Sequence, residues 1–276
     1  MVNMLESGVV DLTPVPVQPS VTRAQLEAQI VKLSSFETTV GKTGDYVESR
    51  TENIRVGTER FNRLTVAPGK SVSFNKVALK RSTANGYQVA LEIAYGNYVE
   101  GIGGGICQVS STLYNALLMA DMHIVERHHH SWPLGYVDIG RDATISTGGP
   151  DLRFENTSGA ALFILSETDE KQKRITVKLY GRPLADGVSI ELSSKKVKTL
   201  DDLGTEVEED ASLKPGEQQL LRIARHGFGA ITYKTYYSAE GAKLGTQEVT
   251  RDTYRSIKGL IKIAPAAAAT GAEGGE

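Results

Sequence analysis

The chain has 276 residues, 40% of them hydrophobic, enough for one substantial core and a second small domain. Its 31 basic and 33 acidic side chains leave a net charge of −2, which gives none of the single-sign field that draws nucleic acid or anionic lipid. No run reaches the roughly 18–20 apolar residues of a membrane-spanning helix, and Met1 to Leu12 lack the basic and apolar regions of an export signal.

Residues 1–20 read as a linker, because Asp11 to Pro19 is proline-rich, and an export signal or membrane anchor is expected to have been removed ahead of it. Thr22 to Ser35 places Leu26, Ile30 and Leu33 at helical steps, and Glu52 to Leu64 does so with Val56, Phe61 and Leu64, so both are expected to be helices. Pro68-Gly69 turns the chain into a short strand over Ser71 to Phe74, and Asn85-Gly86 turns it into another.

The next segment, Gly101 to Leu118, reads as a glycine loop feeding a helix. Ile106, Val109, Leu113, Ala116, Leu117 and Ala120 fall on one face, and Cys107 lies roughly 130° from its centre, beside Ser111 and Tyr114. Cys107 is the single cysteine, so no intramolecular disulfide can form, and the compartment is left open.

Ala161 to Leu165 and Ile175 to Tyr180 flank a charged turn and read as a hairpin. Lys195 to Asp210 is charge-rich and weakly periodic, which marks a boundary zone. Strand-like runs follow over Gln218 to Ala224, Ala230 to Tyr237 and Lys243 to Thr250, punctuated by glycines. The predicted class is α+β: a first domain over residues 21–185, with the Cys107 helix packed on a sheet that includes Ile175 to Tyr180. A small, elongated all-β module over residues 186–264 is expected to be joined to it by few contacts, ahead of a disordered tail over 265–276.

Ala67 to Asn75, Gly103 to Ala116, Glu126 to Ser131 and Gly140 to Thr144 together resemble the VanW family, over most of Ser35 to Arg182. Leu79 to Thr83 departs from the family, which more often has a glycine before the Arg-Ser/Thr pair. Leu213 to Ile263, with its spaced glycines, Tyr233 and Tyr254, is similar to G5 modules of bacterial surface proteins, which are thought to bind glycan containing N-acetylglucosamine. The resemblance implies an exported or membrane-anchored protein of the bacterial envelope, with peptidoglycan or another wall glycan as its partner. It supplies no established reaction.

The residues themselves suggest one. A thiol in the first turn of a helix is favoured as thiolate by the unpaired N–H groups there, and those groups can also receive an oxyanion. Gly103, Gly104 and Gly105 carry no side chains, so a substrate backbone can approach closely. A base and an orienting group are available downstream in His128, His129 and His130, then Asp138 and Asp142. His130 matches the family's histidine position best.

The order cysteine, histidine, aspartate, with the last two expected on later strands, resembles transglutaminase-like and papain-like folds by analogy alone. The expected site is therefore Cys107 with His130 and Asp142, and Gly103, Gly104, Gly105, Gln108, Ser110, Ser111, Tyr114, Arg127 and Ser131 around the substrate. Against this stands the commoner fate of a helical cysteine, a small buried hydrophobe. The histidine run lacks the paired spacing of a zinc site, and no metal or cofactor is expected. Tyr233, Tyr236 and Tyr237 can stack on sugar rings or serve as strand packing. Two functions are thus carried: a cysteine-dependent acyl-transfer or hydrolytic enzyme of the wall, and a non-catalytic wall-binding or scaffolding protein.

Overall fold

The computed structural model describes residues 29–41, 46–94 and 97–265. The linker expected over residues 1–20 and the tail beyond residue 265 lie outside the described residues. In chain order the first elements are β1 (Val31–Thr39), α1 (Val47–Phe61), β2 (Leu64–Val66), β3 (Ser71–Ser73), α2 (Phe74–Ala78), β4 (Val89–Ala94) and β5 (Asn97–Ile102). Next come α3 (Ile106–Met119), β6 (His123–Glu126), β7 (Arg153–Glu155), β8 (Leu162–Asp169) and β9 (Arg174–Gly181). The later strands are β10 (Ser189–Thr199), β11 (Thr205–Glu209), β12 (Gln218–Arg222), β13 (Phe228–Tyr237), β14 (Lys243–Tyr254) and β15 (Gly259–Ile263).

The central sheet is antiparallel, ordered β1-β9-β8-β2. Period-2 alternation buries Ile175, Val177 and Leu179 on β9 and Leu162 and Ile164 on β8, giving one apolar face. α3 lies on that face and buries Val109, Leu113, Leu117 and Leu118, each worth roughly 1.5–3 kcal/mol of transfer free energy for a leucine-sized side chain. Polar bonds fix its register. Ser34 Oγ donates to Ala116 O at 2.8 Å, and the Thr38 and Thr112 hydroxyls meet at 2.8 Å. The expected packing of the Cys107 helix on the Ile175 to Tyr180 strand is what the fold has.

The helix expected over Thr22 to Ser35 is corrected where the structure describes it, since the chain is strand from Val31 onward. β9 offers a full ladder, and the strand buries Ser34 and Thr38 toward α3 while Leu33 and Phe36 pack at the edge of the core. Tertiary pairing therefore overrides a weak helical period. The second expected helix is α1, displaced toward the N-terminus. The strand expected to run through Phe74 ends at Ser73, whose Oγ accepts from Lys76 N and caps α2.

β10, β13 and β14 form one antiparallel sheet of the C-terminal module, and β11, β15 and β12 form another, in which β11 runs parallel to β15. The module is thin, and Val207, Leu220, Ile223 and Leu244 are exposed. Lys195 to Asp210 is not a boundary zone: its first part is the β10 ladder with β13, and its last part is β11. Nor is the module joined by few contacts. Lys234 Nζ and Tyr236 Oη reach Asp121 at 2.9 and 3.1 Å, Leu192 and Val249 pack on the main core, and Arg127 Nη1 lies 2.6 Å from both carboxylate oxygens of Asp252. Glycine makes the close approach possible, because a Cβ on Gly140 would stand 2.7 Å from Thr232 Oγ1.

Candidate functional site

The loop ahead of α3 is seated on the β4–β5 hairpin. A Cβ on Gly104 would come within 2.5 Å of Leu91 O, so the space its missing side chain leaves is already filled by the β4 backbone. Asn53, fully buried on α1, holds the loop by donating to Gly104 O at 3.0 Å. α3 then begins at Ile106, which puts Cys107 in its first turn. Cys107 is half-buried on the wall of a cavity of about 830 Å³, which Gly103, Gly104, Gly105, His130 and Tyr136 also line. Its Sγ lies 3.5 Å from Ile145 O and 3.9 Å from Thr144 Oγ1.

His130 and Asp142 come together through local pairing. His128 and Thr144 form an antiparallel bridge, with Thr144 N donating to His128 O at 2.8 Å. Two residues inward on each arm are His130 and Asp142, which therefore face one another. Asp142 Oδ2 lies 2.6 Å from both the backbone N and Nδ1 of His130. Both residues stand in irregular segments between β6 and β7, not on strands as expected. The three histidines part company: His128 is exposed beside Glu126, His129 packs edge-on to the Tyr254 ring, and His130 is buried. Among the described residues, no three His, Cys, Asp or Glu side chains gather in a metal-holding arrangement.

The electrostatics follow from this packing. Burial alone raises a thiol, but the hydrogen bond and charge of His130, with the contacts to Ile145 and Thr144, outweigh it and hold Cys107 below the ordinary range. Burial depresses His130, yet bonds to Asp142 and Cys107 lift it to about 9. Burial raises Asp142, but His130, Arg127 and Tyr254 bring it down to about 2. At neutral pH His130 is therefore an imidazolium and Asp142 a carboxylate, and the imidazolium charge favours ionisation of the Cys107 thiol.

The other expected site residues are placed as follows. Gln108 borders the cavity but is fully buried, with Nε2 donating to Thr38 Oγ1 and Thr39 O at 3.0 and 2.9 Å and Oε1 accepting from Arg50 at 2.9 Å. Ser110 and Ser111 are buried, with hydroxyls donating to Cys107 O and Ala143 O. Tyr114 lies in the core under the Arg127 guanidinium, 5.4 Å from its ring centre. Arg127 binds Asp252 and the carbonyls of Gly140 and Asp142, while Ser131 is exposed at a second hollow beside Thr253 and Arg255. The structure thus brings Cys107, His130, Asp142 and the three glycines to one place and puts Ser110, Ser111, Tyr114 and Arg127 behind them as support.

Two parts of the site were missed in the sequence. Tyr136 lines the cavity and has a buried hydroxyl that makes no well-formed hydrogen bond, and burial raises it well above the ordinary phenol range, so it stays a donor. Tyr254 donates to Asp142 Oδ1 at 2.5 Å and accepts from Gly140 N at 2.9 Å. Only the second left a signal: Asp252 and Tyr254, two apart on β14, are the buried face of a strand whose Arg251 and Thr253 are exposed.

An α+β domain with a cysteine and a histidine on one cavity wall, and a buried aspartate bonded to that histidine, is the class that fold and site define. Residues 49–180 match the family described as "VanW like protein". It is 44% identical over 117 residues to the uncharacterized protein YoaR of Bacillus subtilis (strain 168), covering 42% of this chain and 39% of that one. It is 29% identical over 146 residues to the vancomycin B-type resistance protein VanW of Enterococcus faecalis (strain ATCC 700802 / V583), covering 51% of each. The chain thus spans about half or less of the length of these relatives. Among solved structures, the IgA1 protease G5 domain covers 28% of this chain and 90% of its own at 10% identity and a TM-score of 0.19. HP0197-G5 covers 26% and 95% at 19% identity and 0.15. At those scores the G5 resemblance of the C-terminal strands continues to rest on their sequence.

Proposed function

We propose that the protein works at the outer face of a bacterial cell envelope, where Cys107 attacks a peptide or amide carbonyl of peptidoglycan. The wall assignment rests on the family resemblance. The chemistry rests on one observation: the His130 ring, anchored by Asp142 at 2.6 Å, stands by the thiol and holds it below the ordinary range.

The thiolate adds to the carbonyl carbon, and the oxyanion takes hydrogen bonds from the Tyr136 hydroxyl and the N–H groups at the start of α3. The C–N bond breaks as the His130 imidazolium gives its Nε2 proton to the leaving amine, which leaves a thioester on Cys107 and a neutral imidazole. An incoming water or amine then loses its proton to His130 and displaces the thiolate, giving hydrolysis or transfer. Asp142 orients the ring throughout. No helix among the described residues is long and apolar enough to cross a membrane.

The test is incubation of the full chain with purified peptidoglycan, followed by acid quenching and intact-protein mass measurement. A covalent adduct is expected on the wild type and none on Cys107→Ser, with wall fragments or cross-links changed only by the wild type. His130→Ala should slow adduct formation by about 10²–10⁴-fold. Sedimentation with peptidoglycan without adduct or product would replace this function by a wall-binding or scaffolding one.

A further inference from the structure

We propose that Tyr254 and Asp252 are positioning residues for the Cys107–His130 pair, so that the C-terminal strands complete the site. This rests on the reading of Cys107, His130 and Asp142 as a working triad. Tyr254 is buried at the end of β14, more than a hundred residues from Asp142 in sequence, and its hydroxyl donates to Asp142 Oδ1 at 2.5 Å while accepting from Gly140 N at 2.9 Å. Asp142 thus has His130 on one oxygen, and Tyr254 with the more distant Arg127 Nη2 (3.3 Å) on the other.

Asp252 lies one turn of the pleat away on the same face of β14. It holds Arg127, whose Nε donates to Asp142 O at 2.6 Å and whose Nη2 donates to Gly140 O at 3.1 Å. Thr232 of β13 also donates to Gly140 O, at 2.9 Å. The short segment from Gly140 to Asp142 is therefore held from the module side at its main-chain N–H, at two of its carbonyls and at its carboxylate. Each partner is buried, so water cannot replace a lost bond at little cost.

A coupling follows between module and thiol. Without the Tyr254 hydroxyl, Asp142 Oδ1 keeps only the longer bond from Arg127 Nη2, at 3.3 Å, so the carboxylate is held less firmly and the His130 imidazolium beside Cys107 is less well supported. A purely structural tyrosine would lower stability and leave the thiol of the folded protein as it was.

The experiment is alkylation of Cys107 across pH in the full chain, for the wild type, Tyr254→Phe and Asp252→Asn, at a temperature where thermal unfolding curves show each to be folded. Both variants are expected to move the labelling midpoint upward and to slow labelling below it by roughly three- to tenfold, the factor that one hydrogen bond of ordinary worth supplies. Leu244→Ala, exposed on β14, serves as the control and should move nothing. Variants with lowered melting temperatures and the wild-type midpoint would overturn the positioning role. A wild-type midpoint no lower than that of the unfolded chain would instead sink the triad itself.

Discussion

Asp142 Oδ2 accepts from both the backbone nitrogen and Nδ1 of His130, each at 2.6 Å. Two bonds to one oxygen fix the ring at both its root and its edge, which leaves Nε2 as the ring nitrogen not taken up by Asp142. The same carboxylate makes the acid stability of the fold depend on this site.

The carboxyl of Asp142 is held at about 2 in the folded protein against an ordinary 3.8. Its folded value is the lower one, so it contributes stability above pH 3.8 that is lost as pH falls through the folded value. The difference is worth about 2 kcal/mol. In urea unfolding at pH 6, Asp142→Asn should be less stable by roughly that amount, and the gap to the wild type should narrow by pH 2. An equal gap at both values would show that the carboxylate is not ionised and bonded as described.

Gln108 separates support from substrate contact. Its amide is spent on Thr38, Thr39 and Arg50, all inside the fold. Gln108→Leu should destabilise by about 2–4 kcal/mol, because buried partners are left unsatisfied. The labelling midpoint of Cys107 in the folded variant should stay within a few tenths of a pH unit of the wild type. Unchanged stability with weakened substrate binding would return Gln108 to the substrate.

Tyr136 is expected to behave in the opposite way. Its hydroxyl lacks a well-formed bond in the free protein, so Tyr136→Phe should leave the melting temperature nearly unchanged. Adduct formation with a wall peptide should slow by about 10²-fold, the usual effect of losing one oxyanion donor. A variant as fast as the wild type would leave the oxyanion to backbone N–H groups alone.

Gly140 tests the seam. Its φ of +77° and the 2.7 Å approach that a Cβ would make to Thr232 Oγ1 leave no room for a side chain. Gly140→Ala should cost more than about 1 kcal/mol and raise the Cys107 midpoint. Circular dichroism with labelling on the same sample checks both, and a shift in neither would mean that the seam gives way freely.

What could be read from the chain itself was the local chemistry. The glycine loop, the helical stripe from Ile106 to Leu117 and the hairpin of β8 and β9 each carry their own period, and the order Cys107, His130, Asp142 picked out three residues that the fold brings near one another. The failures share a cause. Val31 to Ser35 became strand because β9 supplied a ladder, a partner some 140 residues away. The polar side of α3, whose Ser110, Ser111 and Tyr114 were expected around the substrate, is buried because the segment from Arg127 to Ile145 covers it and β13 and β14 press on that segment in turn. Tyr254 and Asp252 reach the site only through that tertiary seam, and the exposed-looking charge of Lys195 to Thr199 concealed a paired strand. Periodicity reports which face of an element is apolar, but it is silent on polar faces buried against other polar groups.

The pairing of Cys107 with His130 is tested most directly by the pH dependence of Cys107 alkylation in the native full chain, measured beside the urea-unfolded chain and His130→Ala. The wild-type midpoint should lie below that of the unfolded chain, because His130 outweighs burial at the sulfur, and His130→Ala should raise it. Native protein that resists labelling until it unfolds, with a midpoint that His130→Ala does not move, would contradict the account and leave Cys107 as packing between α3 and Ile145.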